Sequence, residues 1–388
     1  MVVYWIMFIY TMVFAIVIET ENKQNDCLKL NQNENTAIRT VGIVGGLIAF
    51  FAIILFTSIR GYVADTTSYI AAFQNETRTL ADIPAMFQDF FNVKGPLWIT
   101  IQIVVKNYIY DDVTVMFTII SAFQGFAVAK TFSMYSEYFT FSAYLFVSGY
   151  SFFWMLNGTR QFTAVCVLLL ASKYLFNKNI KIYLLWVLLA GCFHTTALLF
   201  IIIAFVVQGK PFNRRVVVTI VLALVSVVFI DSFTHILDSV LEDTLYNGVA
   251  AEVNEGGMSP FVTLINLAPV ILVWWRRKSI LSVDRPRYID VIINLSCINV
   301  GICLIANFTS GITFGRLPIY FSIYNCILLP WVIEKIFTGV DKTLVRASCI
   351  IFYMMYFLYK GYGSSMGGGE YSSLYWKFIY ENFSIKLF

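Results

Sequence analysis

Residues Ile182–Val207 read IYLLWVLLAGCFHTTALLFIIIAFVV. One helical crossing of a bilayer takes roughly 17–25 apolar residues, and this run reaches beyond that with a histidine, His194, at its centre. Lysines flank it on both sides, Lys181 before and Lys210 after. Lys and Arg in short loops mark the cytoplasmic face, so both ends of the run belong to the same side. The chain must cross twice or dip in and return, with its turn near Cys192-Phe193-His194-Thr195-Thr196, towards the outer side. Half-helices of about 13 residues are short for spans. They are tolerated where they line a protein cavity instead of lipid. The stretch therefore predicts an all-α, polytopic transmembrane helical bundle with split or re-entrant helices.

Composition agrees. The 388 residues are 59% hydrophobic and 17% aromatic, with 13% charged residues and a mean hydropathy of +0.74. Soluble domains carry about 25% charge. The net charge of +4 is spread over loops, which argues against a nucleic-acid partner. Of the seven cysteines only Cys27 lies outside an apolar run, and none pair as CxxC. They read as small hydrophobes, without a disulfide framework or a zinc site. The first apolar run, Val2–Ile18, has no basic leader, so a retained helix is expected rather than a cleaved signal. No internal repeat or soluble segment divides the chain, which reads as a single transmembrane domain over residues 1–388.

Further spans are expected at Val2–Ile18, Thr40–Ile59, Val113–Phe132, Tyr138–Leu156, Gln161–Phe176, Val216–Ile230, Pro260–Trp275, Tyr288–Asn307, Leu317–Ile333 and Leu344–Tyr359, with Leu97–Tyr110 short. That gives about 10–13 membrane segments. Arg276-Arg277-Lys278 with Arg285 and Arg287, the Lys173–Lys181 group, Lys210 with Arg214 and Arg215, and Lys335 with Lys342 and Arg346 mark cytoplasmic loops. The segment Asp231–Ser259 has six acidic residues and no Lys or Arg, and should face outward with the loop Gly61–Gly95 and the tail 361–388. Within it, Phe233–Glu242 has the apolar spacing of a surface helix. One parity problem remains. Three spans between Gly61–Gly95 and Arg160 would put Arg160 inside, whereas Lys173 at the end of its helix puts it outside. One segment must be re-entrant or split: Leu97–Tyr110, or Tyr138–Leu156 at Gly149.

Arg60, Arg160 and Arg316 stand at or inside apolar segments, where a charged side chain costs several kcal/mol, roughly 2.5–3.5 on insertion scales. Each falls at an outward helix end. Arg60-Gly61 precedes Asp65-Thr66, either of which suits a helix N-cap. Asn157-Gly158-Thr159 leads Arg160-Gln161 into a helix, and Arg316 precedes Pro318, a residue suited to a first helical turn. The plain alternative for each is a boundary arginine whose head snorkels to water. Without adjacent carboxylates, the three guanidinium groups suggest an anion supplied from outside, and the arginine fork matches phosphate oxygens.

A satisfied core histidine is the plain alternative at His194, but intramembrane histidines are functional by default. The second histidine, His235, lies in the acidic segment. HExxH, DxD-like and GxSxG patterns are absent. Metal-free acid–base or phosphate-orienting chemistry fits this set, with no metal and no cofactor.

Four segments carry a resemblance: Ile59-Arg60-Gly61 with Asp65-Thr66-Thr67-Ser68-Tyr69 and Phe73; Asn157-Gly158-Thr159-Arg160-Gln161-Phe162-Thr163-Ala164; Leu189-Ala190-Gly191-Cys192-Phe193-His194-Thr195-Thr196-Ala197; and Gly315-Arg316 with Tyr320-Phe321. In this order the chain resembles the EpsG-type family of Wzy-like bacterial polysaccharide polymerases. Lys94-Gly95-Pro96 departs from the pattern, which has an acidic residue before the glycine.

The resemblance implies a metal-independent, inverting GT-C-like glycosyltransferase, multi-pass in the bacterial inner membrane. It would make O-antigen, capsule or exopolysaccharide. Its partners would be undecaprenyl-diphosphate-linked oligosaccharide donor and acceptor, membrane lipid and a chain-length regulator protein. Arg60, Arg160 and Arg316 would hold diphosphate, and Tyr69, Gln161 and Tyr320 would line the substrate. His194 or Asp65 would take the acceptor proton. His194 is preferred because imidazole titrates near neutrality, though it could instead hold a phosphate. His194 is expected to face the same cavity as Arg160. An O-antigen ligase, a membrane acyltransferase with one intramembrane histidine, and a lipid-linked glycan flippase are the rival readings.

Overall fold

The computed structural model describes residues 2–29, 41–61, 63–228, 259–308 and 314–363. The acidic segment 231–258, the surface helix expected at 233–242 and the tail beyond 363 lie outside them. Among the described residues the chain is helical and forms no strand.

Its helices are α1 (Val2–Lys29), α2 (Ile43–Ser58), α3 (Thr66–Gln74), α4 (Ile83–Gln88), α5 (Pro96–Val104), α6 (Val113–Tyr135), α7 (Phe139–Ser148), α8 (Thr159–Phe176), α9 (Ile180–Gly191), α10 (Phe200–Val206), α11 (Arg214–Val228), α12 (Pro260–Trp275), α13 (Arg277–Ser282), α14 (Arg287–Phe308), α15 (Ile319–Ile336) and α16 (Gly339–Gly363). Among the described residues four stretches, Val2–Asn22, Val113–Tyr135, Arg287–Phe308 and Ile319–Ile336, are long and apolar enough to cross a membrane. Other apolar helices are shorter, among them α2, α7, α9 and α12. Ile6, Ile9, Val13, Ile16 and Val17 of α1 are exposed at helical spacing, an apolar stripe suited to lipid. The protein is a polytopic helical membrane protein.

Two compact units are present: residues 1–86, 96–170 and 349–388 form one, and residues 87–95 and 171–348 the other. In the first, α2 packs on α1 and α6, and α1 on α7. Small residues allow the close approach: a Cβ on Gly125 would lie 2.3 Å from Ile54 Cγ1. Phe50 meets Phe132, Phe139 and Phe146 at centroid distances of 6.1, 6.2 and 5.4 Å. At the far end of α1, buried Glu19 accepts the Thr140 N–H at 2.7 Å and so fixes the start of α7.

This unit resolves the parity problem. After α5 the chain continues as a π-helix, Val105–Ile109. Lys106 Nζ donates to the carbonyls of Phe73, Gln74 and Glu76 at 3.1, 2.7 and 2.9 Å, placing a cation on the C-terminus of α3. Asn107 Nδ2 donates to the Arg78 carbonyl at 3.0 Å. A cavity of about 620 Å³ between Ile70, Phe73, Gln74 and the turn Tyr110–Val113 puts that turn on the same side. Leu97–Tyr110 thus starts and ends beside the segment Gly61–Gly95 and does not cross. The segment Tyr138–Leu156 is also broken, as a left-handed Tyr150 (φ 60°) separates α7 from a 3-10 helix, Ser151–Met155. It still traverses, since Met155 ends beside Arg60.

Next to the Lys106 cap, Arg78 holds the buried Glu76 by two bonds of 2.7 Å. Burial opposes the Glu76 charge, but the hydrogen bonds from Arg78 outweigh it and keep the carboxyl below its ordinary 4.5. A depressed carboxyl stabilises the fold above its ordinary value, and the contribution disappears as pH falls through the lowered one. Protection of residues 61–86 from protease is expected to drop in acid, and Glu76→Gln should remove that part of the pH dependence. An identical acid profile in Glu76→Gln would contradict it.

In the second unit α14 packs on α11, α12 and α15. Polar pairs join these helices: Asn299 Nδ2 to Asn266 Oδ1 at 2.7 Å, Ser296 Oγ to Asn325 Oδ1 at 2.6 Å and Thr263 Oγ1 to Asn307 Oδ1 at 3.0 Å. Such interhelical bonds contribute about 0.6 kcal/mol each. The run Ile182–Val207 is a broken hairpin: α9, a turn at Cys192–His194, a 3-10 helix Thr195–Leu199, then α10 packed back on α9. A Cβ on Gly191 would sit 2.6 Å from Leu198 Cδ2, so the close return depends on that glycine.

Candidate functional site

In the first unit the chain leaves α2 at Ile59 and buries Arg60 completely. The guanidinium does not snorkel. Its Nη1 donates to the Met155 carbonyl, and its Cζ lies 4.0 Å from the Phe117 ring centroid. A cation over an aromatic face is attracted by about 2 kcal/mol or more when desolvated.

Asp65 is the N-cap residue of α3, as its position suggests, yet its side chain does not cap the helix. Its Oδ2 accepts the Gly158 N–H at 3.3 Å. Gly158 has φ +71°, which turns the chain into α8. Arg160, second in that helix, directs its backbone N–H to Tyr69 Oη at 3.5 Å. The Tyr69 ring packs on Trp98 at 5.3 Å. Burial raises the Tyr69 phenol above its ordinary 10.0, while Arg160 and Arg60 pull it down and Asp65 pushes it up. Both arginines and Asp65 therefore share one electrostatic neighbourhood with Tyr69. The arginine pair is accompanied by a carboxylate, unlike the carboxylate-free set its sequence neighbours suggest.

The start of α8 is held from behind. Gln124 Nε2, buried in α6, donates to the Thr159 carbonyl at 3.0 Å and Thr163 Oγ1 at 2.9 Å. Thr159 Oγ1 donates to Met155 O at 2.9 Å. Gln161 is 3% exposed. Thr66 Oγ1 and Asn157 Oδ1, from the segments that carry Asp65 and Arg160, are buried with no hydrogen-bond partner among the described residues. Unsatisfied buried oxygens on the same segments as these charged residues fit a polar ligand with both donors and acceptors. Gln124, Phe117 and Trp98 escape the sequence reading, although Gln124 is a conspicuous amide within the apolar run Val113–Phe132.

A side chain at position 158 would be strained by the left-handed backbone, by roughly 1–2 kcal/mol. It would also approach Trp154 Cε3 to 3.3 Å. Gly158→Ala is expected to lower stability by about that much and to impair the turn that presents Arg160. Unchanged thermal unfolding would contradict this.

In the second unit His194 stands at the hairpin turn, as the N-cap of the 3-10 helix, with φ −154° and ψ 121°. Its Nδ1 lies 2.7 Å from Thr196 Oγ1, which lies 3.0 Å from Tyr320 Oη. Tyr320 is 2% exposed, its ring 5.7 Å from Phe200. Arg316 is half-buried in the turn 314–318, four residues before Tyr320. Pro318 is the N-cap residue, one position before α15, because the turn continues through it. The structure thus gathers Arg60, Asp65, Tyr69 and Arg160 within one unit, and His194, Thr196 and Tyr320 within the other. No curated protein and no solved structure matches the chain. The family model of the EpsG family matches residues 44–376, most of the chain. With its arginine-led helix starts and histidine hairpin inside that range, the chain belongs to the EpsG family.

Proposed function

We propose that this protein is a polysaccharide polymerase of the bacterial inner membrane, working on its outer side. The growing glycan leaves undecaprenyl diphosphate and joins a lipid-linked repeat unit. The observation that carries the reading is the arginine group: a completely buried Arg60 and a helix-start Arg160 around Tyr69 and Asp65. Guanidinium forks at a helix start match the paired oxygens of a diphosphate, and a helix N-terminus favours the same anion.

The reaction is an inverting transfer without metal. An acceptor hydroxyl attacks the anomeric carbon of the donor, a carbon–oxygen bond forms on one face, and the bond to the diphosphate oxygen breaks on the other. Negative charge grows on the departing diphosphate, where Arg60 and Arg160 stabilise it, and Arg316 serves as a further diphosphate-binding residue. The N-terminus of α8 adds its own positive end. The hydroxyl proton passes to Asp65 or His194, and Tyr69, Gln161 and Tyr320 shape the substrate's surroundings. A chain-length regulator protein acts as an accessory partner.

Purified protein in liposomes, given undecaprenyl-diphosphate-linked repeat units, tests this. A ladder of joined repeats is expected. Single units that remain unjoined, or that move across the bilayer without joining, would contradict it.

A further inference from the structure

We propose that the cavity beside the C-terminal half of α3 is an oligosaccharide subsite, holding an uncharged or amino sugar of the substrate glycan next to the reacting one. The inference rests on the polymerase reading and adds to it a place for the glycan, separate from the diphosphate.

The cavity of about 620 Å³ has the size of an ordinary small-molecule site, roughly 300–1,000 Å³. Its lining is mixed. Ile70 and Phe73 of α3 and Val113 of α6 are buried and give it an apolar side. Gln74, Tyr110 and Asp111 stand exposed around it, with Asp112 half-buried. The amide and the phenol both donate and accept hydrogen bonds, and the carboxylates accept them. A pyranose presents the matching surface: hydroxyls on its rim, and C–H faces that pack on aromatic and aliphatic side chains. The lining has two carboxylates and no Lys, Arg or His, so it repels phosphate. Lys106 is close by, its ammonium 5.9 Å from the Phe73 ring centroid, but that charge is directed to the three carbonyls at the end of α3. The two ends of α3 thus offer opposite chemistry, with arginines near its start and acceptor oxygens near its finish.

The position suits a sugar next to the reacting one. Phe73 follows Tyr69 by four residues, so the two share a face of α3 about 6 Å apart along its axis. Tyr69 is the residue whose Oη meets the Arg160 N–H. The walls are also built in advance. The π-helix Val105–Ile109 delivers the turn that carries Tyr110 and Asp111, and such turns occur mostly at functional sites. The Tyr110 N–H donates to the Val105 carbonyl at 2.9 Å, and Asp112 Oδ1 accepts the Thr114 N–H at 2.7 Å to cap α6. A pre-formed wall spares a ligand the cost of ordering it.

The probe is a soluble oligosaccharide fragment of the polymer made by the source cells, without lipid or diphosphate. Its binding to the full-length protein in nanodiscs is titrated by saturation-transfer NMR. The wild type is expected to bind it, and Asp111→Asn and Tyr110→Ala to bind it about tenfold more weakly, the scale of one hydrogen bond. Both side chains are exposed, and the Asp112 cap and the Tyr110 backbone bond survive these changes. Tyr108→Ala, at an exposed tyrosine outside the lining, should bind as wild type, and inorganic pyrophosphate should not displace the fragment. No binding to the wild type, equal binding by wild type, Asp111→Asn and Tyr110→Ala, equal weakening in Tyr108→Ala, or displacement by pyrophosphate would overturn the subsite. Binding needs no transfer, so the two readings fail separately. Fragment binding lost in Asp111→Asn without any ladder from lipid-linked units would support the subsite and sink the polymerase reading. A wild-type ladder with fragment binding unchanged in Asp111→Asn and Tyr110→Ala would do the reverse.

Discussion

Arg160→Lys is expected to cut polymerisation about 10²–10³-fold, the usual loss when one donor to a developing anion is removed. Arg160 is placed by an unusual amount of surrounding structure. Gly158 turns the chain, Gln124 and Thr159 anchor the first turn of α8, and the Arg160 N–H reaches Tyr69. Those contacts are made by backbone or by other side chains, so they survive the substitution. Lysine keeps the charge but loses the planar fork that binds two phosphate oxygens together. The protein should therefore insert and fold while its product shifts to short chains. Arg316→Lys should do the same. Wild-type chain lengths in both variants would contradict the diphosphate role.

His194→Ala should leave lipid-linked single repeats and no polymer, a loss of about 10²–10³-fold or more. The hairpin does not depend on the imidazole. Its turn is closed by His194 N–H to the Ala190 carbonyl and by Ala197 N–H to the His194 carbonyl, both 3.0 Å and both backbone. Gly191 against Leu198 sets the close return. Unfolding is thus not the expected reason for failure, and normal membrane insertion with absent polymer is the predicted pair of results. Wild-type polymer from the variant would refute the assignment.

Much of the fold is written in local signals. Lys181 and Lys210 around one apolar run demand a return, and the return occurs at Cys192–His194. Gly149 followed by Tyr150 marks the break after α7. The starts of α8 and α12 fall where Gly158-Thr159 and Ser259-Pro260 suggest. What is not legible is pairing across sequence distance. Lys106 looks like an ordinary cation near a loop, yet it caps α3 from about thirty residues away and makes Leu97–Tyr110 the non-crossing segment. Arg60 looks like a boundary arginine, and only the fold brings Phe117 and the Met155 carbonyl to it. The same holds for the site. Asp65 is legible as a helix-start residue and, through the resemblance, as a candidate base, but its shared surroundings with Arg160 and Tyr69 come only from the fold. Thr196 and Tyr320 are 124 positions apart, and no periodicity relates them.

The central claim is that glycan leaves one undecaprenyl diphosphate for each linkage made. The most direct measurement counts both in one reaction: linkages from the ladder of products, and free undecaprenyl diphosphate by mass spectrometry, with purified protein in liposomes and lipid-linked repeat units as the only sugar source. One released carrier per new linkage is the predicted result, with release and ladder lost together in Arg160→Lys. Linkages without carrier release, or repeat units moved across the bilayer with neither, would contradict it.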